Sequence, residues 1–163
     1  MGKPTGQQLV DWEMQLKGKP YIFGTEQDGK PVSKISAEDC SEMQQNACDQ
    51  NSVTPRLPDG ARYQLNHCRE AGLEISLEDA YSTPGALLFI GDPAHHVAMS
   101  RGVKEEVIRH NLRTGEKQNL GIKWTTIEAK GRDWGVVVDS AERGFDYACL
   151  IPGVKYGPEW GDV

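Results

Sequence analysis

The sequence predicts an α+β fold, because helical hydrophobic patterns occupy the first half of the chain and short strand-like runs occupy the second. No helical pattern separates those runs, and consecutive strands of this kind favour an antiparallel sheet over a doubly wound parallel one. We expect N-terminal helices packed on an antiparallel β-sheet of about five or six strands. The length of 163 residues suits a single domain, residues 1–163.

Three helices are predicted in the first half. Thr5 and Gln8 form a capping box ahead of an amphipathic pattern that stops at Gly18. A second helix begins near Cys40, and a third ends at Gly72. The third helix is expected to place on one side Ala61, Leu65, Cys68 and Ala71.

Beyond Pro84 the hydrophobic pattern is typical of strands. Runs rich in β-branched and aromatic residues are separated by Gly, Pro or Asp, which indicates short strands joined by turns. The six runs are "GALLFIGD", "HHVAMSR", "EVIRHNL", "KWTTIEA", "GVVVDS" and "FDYACLI". They are predicted to form the antiparallel sheet.

The charge balance argues against a nucleic-acid partner. The chain has 18 Lys and Arg against 24 Asp and Glu, a formal net charge of −6, and no basic stripe with interleaved aromatic residues. The first twenty residues lack the apolar core of a signal peptide, and no stretch has the length of a membrane span. We therefore expect no nucleic acid, no membrane and no signal peptide, with the chain made in the cytoplasm.

Cys40 is a candidate nucleophile because of its place at the start of a predicted helix. Ser36 and Asp39 resemble a capping signal, and Met43 follows Cys40 at helical spacing. The free amides of a helix N-terminus favour a thiolate, although the carboxylates of Asp39 and Glu42 oppose it. A small buried hydrophobic residue is the alternative, and the position of the cysteine alone favours that alternative.

His96 is the candidate base in the strand pattern "HHVAMS". Because side chains alternate across a strand, only one of His95 and His96 faces a given site. Ala98 shares a face with His96 and leaves room for another side chain, whereas Val97 and Met99 suit a packed face. We therefore prefer His96, although an isolated histidine is more often structural.

Glu128 is the candidate third residue, which would hold the imidazole ring through its other N–H group. It lies in the apolar strand pattern "TTIEAKG", where Ile127 and Ala129 face the opposite way. The alternative is a solvated strand residue.

The four cysteines and four histidines do not have the spacing of a metal site. The sequence contains neither a C-x-x-C pair nor H-E-x-x-H, and "GTEQDG" lacks the Gly-Lys-Ser/Thr of a phosphate-binding loop. We expect no metal and no cofactor. Reduced thiols are the default expectation, with a bridge between Cys48 and Cys68 left open.

Six segments, taken in order, resemble the NlpC-type cell-wall cysteine peptidases. They are "GKPYIFG", "EDCSEM", "TPRLPDGARYQ", "TPGALLFIGD", "HHVAMSRG" and "TTIEAKGRDWGV". The similarity covers a core of about residues 7–151 and implies a papain-like fold, in which the nucleophile starts a helix packed on an antiparallel sheet.

The resemblance implies a role for each candidate. Cys40 matches the family nucleophile, His96 the base and Glu128 the third polar residue. Three further positions match residues that line the oxyanion position or help bind the stem peptide: Tyr21, and Asp39 with Ser41.

The sequence departs from the family pattern at three places. Glu42 and Met43 follow Cys-Ser where the family has Gly and an apolar residue, which alters either the rear wall of the site or the helix surface. Glu128 stands where His, Asn or Gln is more usual, and a carboxylate stabilises imidazolium more strongly. Residues 102–124 are an insertion that is expected to form an extra hairpin and to carry specificity.

The function implied by the resemblance is hydrolysis of bacterial peptidoglycan. A monomeric cysteine endopeptidase would cut the stem peptide between D-γ-glutamyl and the diamino acid. The glutamate form of "IEAKG" looks most like phage-encoded lysins or tail-associated hydrolases, which act at the cell wall after lysis or from a virion. An N-acetylmuramoyl-L-alanine amidase, an acyl transferase with the same site, and a non-catalytic wall-binding or virion module remain alternatives.

Overall fold

The structure, a computed structural model, describes residues 2–22, 30 and 39–161. The helices in this part of the chain are α1 (Gly6–Met14), α2 (Cys40–Gln50), α3 (Ala61–Glu70) and α4 (Leu77–Tyr81). The strands are β1 (Glu74–Ile75), β2 (Leu87–Ile90), β3 (His96–His110), β4 (Lys117–Gly131), β5 (Gly135–Ser140) and β6 (Tyr147–Cys149). The segment "GTEQDG" and the capping residue Ser36 lie outside the described residues.

The six described strands form one sheet in the order β1-β6-β2-β3-β4-β5, and every neighbouring pair is antiparallel. Short turns join β2 to β3, β3 to β4 and β4 to β5, so these four strands form a meander. The final strand, β6, returns to pair with both β1 and β2. The predicted α+β fold with an antiparallel sheet is therefore confirmed. Two short elements, α4 and β1, were not predicted.

Residues 102–124 form a hairpin as predicted, but this hairpin continues β3 and β4 and is not a separate element. These residues form the distal part of the hairpin made by β3 and β4, and pairing continues from Lys104–Trp124 to His110–Lys117. The sequence pattern is broken at Gly102, which has a φ of 71° and lies within a shift of register between Ser100 and Lys104. A bulge of this kind lets a strand bend without ending it.

Helix α1 begins as its sequence predicts. The Thr5 hydroxyl accepts the Gln8 N–H at 3.1 Å, and the Gln8 side chain accepts the Thr5 N–H at 2.7 Å. Gly6 then packs against the loop ahead of β2, where an added Cβ would lie 1.9 Å from the Pro84 carbonyl oxygen. Only glycine permits this approach, which fixes α1 against the sheet.

Helix α3 ends at Glu70, followed by Gly72 with a φ of 75°, as predicted. Leu65 and Cys68 are buried as expected. Ala71 was predicted on the same side, but it is the exposed C-cap residue, so that part of the prediction is wrong. The helical part ends at Glu70, one residue before the hydrophobic pattern predicted.

The core lies between the helices and the sheet and contains three of the four cysteines. Cys48, Cys68 and Cys149 are fully buried, and all four cysteines are free thiols. Cys68 hydrogen-bonds Cys149, which, together with burial, raises the pKa of its thiol. The bridge between Cys48 and Cys68 that the sequence left open is not formed. Within the described ranges, no helix combines the length and apolar character needed to cross a bilayer.

Candidate active site

Cys40 is the first residue of α2, and the residue before it caps the helix. Asp39 has an extended backbone, and its Oδ1 accepts the Glu42 N–H at 2.8 Å. This bond satisfies one of the free amides that a helix start leaves unpaired. Cys40 is partly exposed, in contrast to the three core cysteines. The cysteine at a helix start that the sequence predicted is therefore observed.

The first turn of α2 is held from a neighbouring helix. The Gln64 side-chain amide of α3 donates to the Ser41 carbonyl at 2.9 Å and to the Pro58 carbonyl at 3.0 Å. Glu42, where the sequence departs from the family pattern, is only 4% exposed. The departure therefore changes the packed wall behind Cys40 and not the helix surface.

His96 opens β3 and lies between Cys40 and Glu128. Its Nε2 is 2.9 Å from Glu128 Oε1, and its side chain also hydrogen-bonds Cys40. Because Nε2 faces the Glu128 carboxylate, Nδ1 is the ring nitrogen that is available to hydrogen-bond Cys40. Phe145 stacks on the ring, with centroids 6.3 Å apart and planes at 22°. His95 is exposed in the preceding turn.

Glu128 is a fully buried carboxylate in the middle of β4. Thr126, two residues earlier on the same face, donates its hydroxyl to Oε2. Arg143, in the turn after β5, donates from Nη1 to Oε2 at 2.9 Å and from Nη2 to Oε1. The alternative of a solvated strand residue does not apply.

The pKa values of His96 and Glu128 shift in opposite directions. Burial lowers the pKa of His96, but hydrogen bonds and charge from Cys40 and Glu128 outweigh burial and raise it to about 9. Burial favours the neutral form of Glu128, but the bonds to His96 and the charge of Arg143 hold its pKa well below the usual range. At neutral pH the pair is therefore an imidazolium and a carboxylate.

Tyr21, Asp39 and Ser41 lie around the cysteine. Burial, with the negative charges of Cys40 and Asp39, raises the pKa of the half-buried Tyr21 to about 12. Its hydroxyl therefore stays protonated and remains a hydrogen-bond donor at neutral pH. The Ser41 hydroxyl is 3.5 Å from Asp39 Oδ1. The same oxygen therefore accepts hydrogen bonds from the Ser41 hydroxyl and from the Glu42 N–H that it caps.

Sequence reasoning missed four residues that support the candidate site: Thr126, Asp139, Arg143 and Phe145. Two of them carry a sequence signal. Thr126 lies two residues from Glu128 on the same strand, so alternation places it on the same face. Asp139 is a charged residue in the apolar run "GVVVDS", which indicates a buried partner. Arg143 lies in a turn, where no periodicity indicates direction, and Phe145 opens the predicted run "FDYACLI" but precedes β6.

Asp139 joins the candidate site to a separate cleft of about 290 Å³ between β3 and β5. Its carboxylate meets Arg143 at 3.4 Å, Lys130 at 2.8 Å and Arg109 at 3.2 Å. None of the residues Cys40, His96 and Glu128 lines this cleft. Within residues 2–22, 30 and 39–161, no group of three or more His, Cys, Asp or Glu side chains has the geometry of a metal site.

The fold and the site together define a class. A partly exposed cysteine at a helix start, a histidine on the facing strand and a buried carboxylate behind it form a Cys/His/Glu series on an antiparallel sheet. This is the arrangement in which a histidine activates a thiol nucleophile and a third group orients the histidine. The overall architecture is the papain-like α+β fold.

Comparison with solved structures shows that this fold is similar to the fold of NlpC/p60 domains. The NlpC/p60 domain of the peptidoglycan hydrolase SagA is 24% identical, with a TM-score of 0.60 over 90% of this chain and 99% of that domain. The P60 domain of an antigen from M. avium subspecies paratuberculosis is 19% identical, with a TM-score of 0.56 over 90% and 96%.

A third similar structure comes from a longer protein. An NlpC protein of Trichomonas vaginalis is 16% identical, with a TM-score of 0.63 over 96% of this chain and 49% of its own length. No protein-family model matches the sequence, and no curated protein matches it. The similarity at these identities establishes the fold.

Proposed function

We propose that this chain is a peptidoglycan hydrolase of the NlpC/p60 family, which cleaves an amide bond of the wall stem peptide by cysteine catalysis. The observation that carries the proposal is the series from Cys40 through His96 to Glu128. The shared fold with the domain of a known peptidoglycan hydrolase supports the choice of substrate. No cofactor is needed for this chemistry.

In the reacting pair the proton of Cys40 has passed to His96, so a thiolate lies beside an imidazolium. The thiolate attacks the amide carbon, and the carbonyl oxygen becomes an oxyanion. The oxyanion collapses, the C–N bond breaks, and His96 gives its proton to the leaving amine. Water then hydrolyses the thioester, with His96 removing a proton from the water, and the thiolate and imidazolium are restored.

The surroundings of Cys40 supply the groups that this reaction needs. The backbone N–H of Cys40 lies at the N-terminus of α2, where free amides and the helix dipole stabilise an oxyanion. The Tyr21 hydroxyl stays protonated beside it and is a second donor. Asp39 and Ser41 are proposed to bind the stem peptide. Glu128 fixes the His96 ring and stabilises its charged form.

The bond between D-γ-glutamyl and the diamino acid is the proposed point of cleavage. We further propose a monomer that acts at the bacterial wall, from a phage lysin or a virion. The phage source rests on the resemblance of the sequence segments, and the wall substrate rests on that resemblance and on the shared fold. Addition of the protein to intact and to permeabilised cells tests the place of action. Size-exclusion chromatography of the protein alone tests the monomeric state.

Mass spectrometry of a digest of purified peptidoglycan tests the proposed bond. An endopeptidase releases fragments that end in D-glutamate and fragments that begin with the diamino acid. An amidase instead frees the glycan from L-alanine, and a wall-binding module sediments with the wall and releases nothing. The matched controls are Cys40→Ala and Cys48→Ala, two cysteines of one helix of which only the first faces His96.

A further inference from the structure

Arg143 contacts the carboxylate of Glu128 at both oxygens. Its two terminal nitrogens donate to Oε1 and Oε2, which is the two-pronged geometry that a guanidinium offers a carboxylate. The oxygen Oε1 also receives the His96 ring at 2.9 Å, and Oε2 receives the Thr126 hydroxyl. Arg143 therefore shares both oxygens with the groups that hold and support the imidazole.

Arg143 is itself fixed from three sides. It donates to the Ser140 carbonyl at 3.0 Å and lies 3.4 Å from the Asp139 carboxylate. Its guanidinium carbon lies 4.7 Å from the centre of the Phe145 ring, and the same ring stacks on His96. The side chain is only 20% exposed. The guanidinium is therefore held in place before any substrate arrives.

The charges around Glu128 assign a particular task to Arg143. A fully buried carboxylate without a countercharge takes up a proton, and a protonated Glu128 does not stabilise an imidazolium. Of the described residues that bond Glu128, namely His96, Thr126 and Arg143, Arg143 alone keeps its charge at every working pH. The neighbouring cations Lys130 and Arg109 bind Asp139 instead.

We propose that Arg143 is a positioning residue, which keeps Glu128 ionised and fixes the plane of its carboxylate so that His96 presents Nδ1 to Cys40. Arg143 touches no reacting atom and acts through Glu128. The catalytic meaning of this role rests on the proposed function, whereas its effect on the Cys40 and His96 pair does not require that the substrate be known.

Two variants separate the charge of Arg143 from its geometry. Arg143→Met removes the charge and keeps most of the side-chain bulk, whereas Arg143→Lys keeps the charge but cannot bond both oxygens in one plane. The matched control is Arg113→Met, an exposed arginine whose carboxylate partner Asp133 lies 3.4 Å away and outside the site. Circular dichroism confirms that each variant is folded.

The first readout is the rate at which iodoacetamide alkylates Cys40, followed by peptide mass spectrometry as a function of pH. The other three cysteines are fully buried, so Cys40 is the thiol that reacts in the folded protein. In Arg143→Met we expect the acid limb of this profile to move upward by about one pH unit or more, because protonation of Glu128 now weakens the imidazolium. Arg143→Lys keeps the acid limb of wild type.

The second readout is the rate of wall hydrolysis at saturating substrate. We expect both Arg143 variants to lose roughly 10- to 100-fold in kcat with little change in KM, because the misplaced ring affects the chemical step. Arg113→Met leaves both kinetic constants and the alkylation profile unchanged. In a Glu128→Gln background, Arg143→Met adds no further loss, because its route of action is already gone.

The outcomes distinguish this proposal from the proposed function. An unmoved acid limb in folded Arg143→Met overturns the positioning role, whether or not walls are cut. If the acid limb moves in Arg143→Met but the wild-type protein cuts no wall, the positioning role is supported and the proposed function is contradicted. If Arg143→Met does not fold, Arg143→Lys decides the question, since wild-type kcat in that variant overturns the role of geometry.

Discussion

His96 is placed between two groups that favour its charged form. Cys40 and Glu128 both hydrogen-bond the ring, and together they outweigh the cost of burying an imidazolium. In the proposed reaction, the proton that His96 delivers to the leaving amine is therefore already on the ring at neutral pH. Removal of either neighbour changes that protonation, which gives a prediction at the scale of one residue.

NMR titration of His96 tests this arrangement. In wild type we expect its pKa near 9, and we expect Cys40→Ala and Glu128→Gln each to lower it because each removes a hydrogen bond and a negative charge. His95→Asn is the matched control that leaves the value unchanged, since His95 is exposed and outside the site. A titration near the ordinary histidine value in wild type would contradict the account.

The candidate residues differ in how far the sequence alone predicts them. Strand alternation separates His96 from His95, and the structure places His96 on Glu128. Arg143 carries no such signal, because it lies in a turn and meets Glu128 across a sheet register that a single sequence does not define. Long-range ion pairs depend on that register, so periodicity does not identify them.

At the scale of elements, the start of α2 combines a helix cap with the proposed nucleophile. Asp39 satisfies the Glu42 amide, and the same carboxylate is proposed to bind substrate. Substitution separates the capping role of Asp39 from the role of its charge. Asparagine caps helices about as well as aspartate but is neutral, whereas alanine does not cap.

The substitutions of Asp39 give the second prediction. Asp39→Ala lowers the free energy of unfolding by about 1 kcal/mol through loss of the cap, whereas Asp39→Asn does not. If the charge binds the stem peptide, Asp39→Asn raises KM for a soluble stem-peptide substrate without changing stability. Urea unfolding and steady-state kinetics measure the two effects. An unchanged KM in Asp39→Asn would limit Asp39 to its capping role.

The runs "HHVAMSR" and "EVIRHNL" were predicted as separate strands, but both lie largely in β3. The helix starts carry short-range signals, and the capping box of α1 is observed as predicted. Strand β3 passes through Gly102 in a bulge, although glycine usually marks the end of a strand pattern. Strand β3 continues beyond Gly102 because it pairs with β4 on both sides of the bulge.

At the scale of the whole molecule, the charged pair links the site to the pH dependence of stability. The raised pKa of His96 contributes stability that is fully present below the unfolded value of roughly 6.5 and is lost as the pH rises through about 9. The lowered pKa of Glu128 contributes stability that is present above its unfolded value and is lost as the pH falls. The pair therefore stabilises the fold most between these limits.

Denaturant unfolding of wild type and His96→Asn tests this linkage. We expect the stability difference between the two proteins to shrink by on the order of 3 kcal/mol between pH 6 and pH 10. His95→Asn is the control, and it tracks wild type over the range. A difference that stays constant with pH would mean that His96 titrates alike in the folded and unfolded states.

Release of new amine termini from purified walls tests most directly whether Cys40 cuts the peptidoglycan stem peptide. We expect release by wild type and by Cys48→Ala, and none by Cys40→Ala with a wild-type circular dichroism spectrum. Release of amine termini by folded Cys40→Ala at the wild-type rate would contradict this expectation.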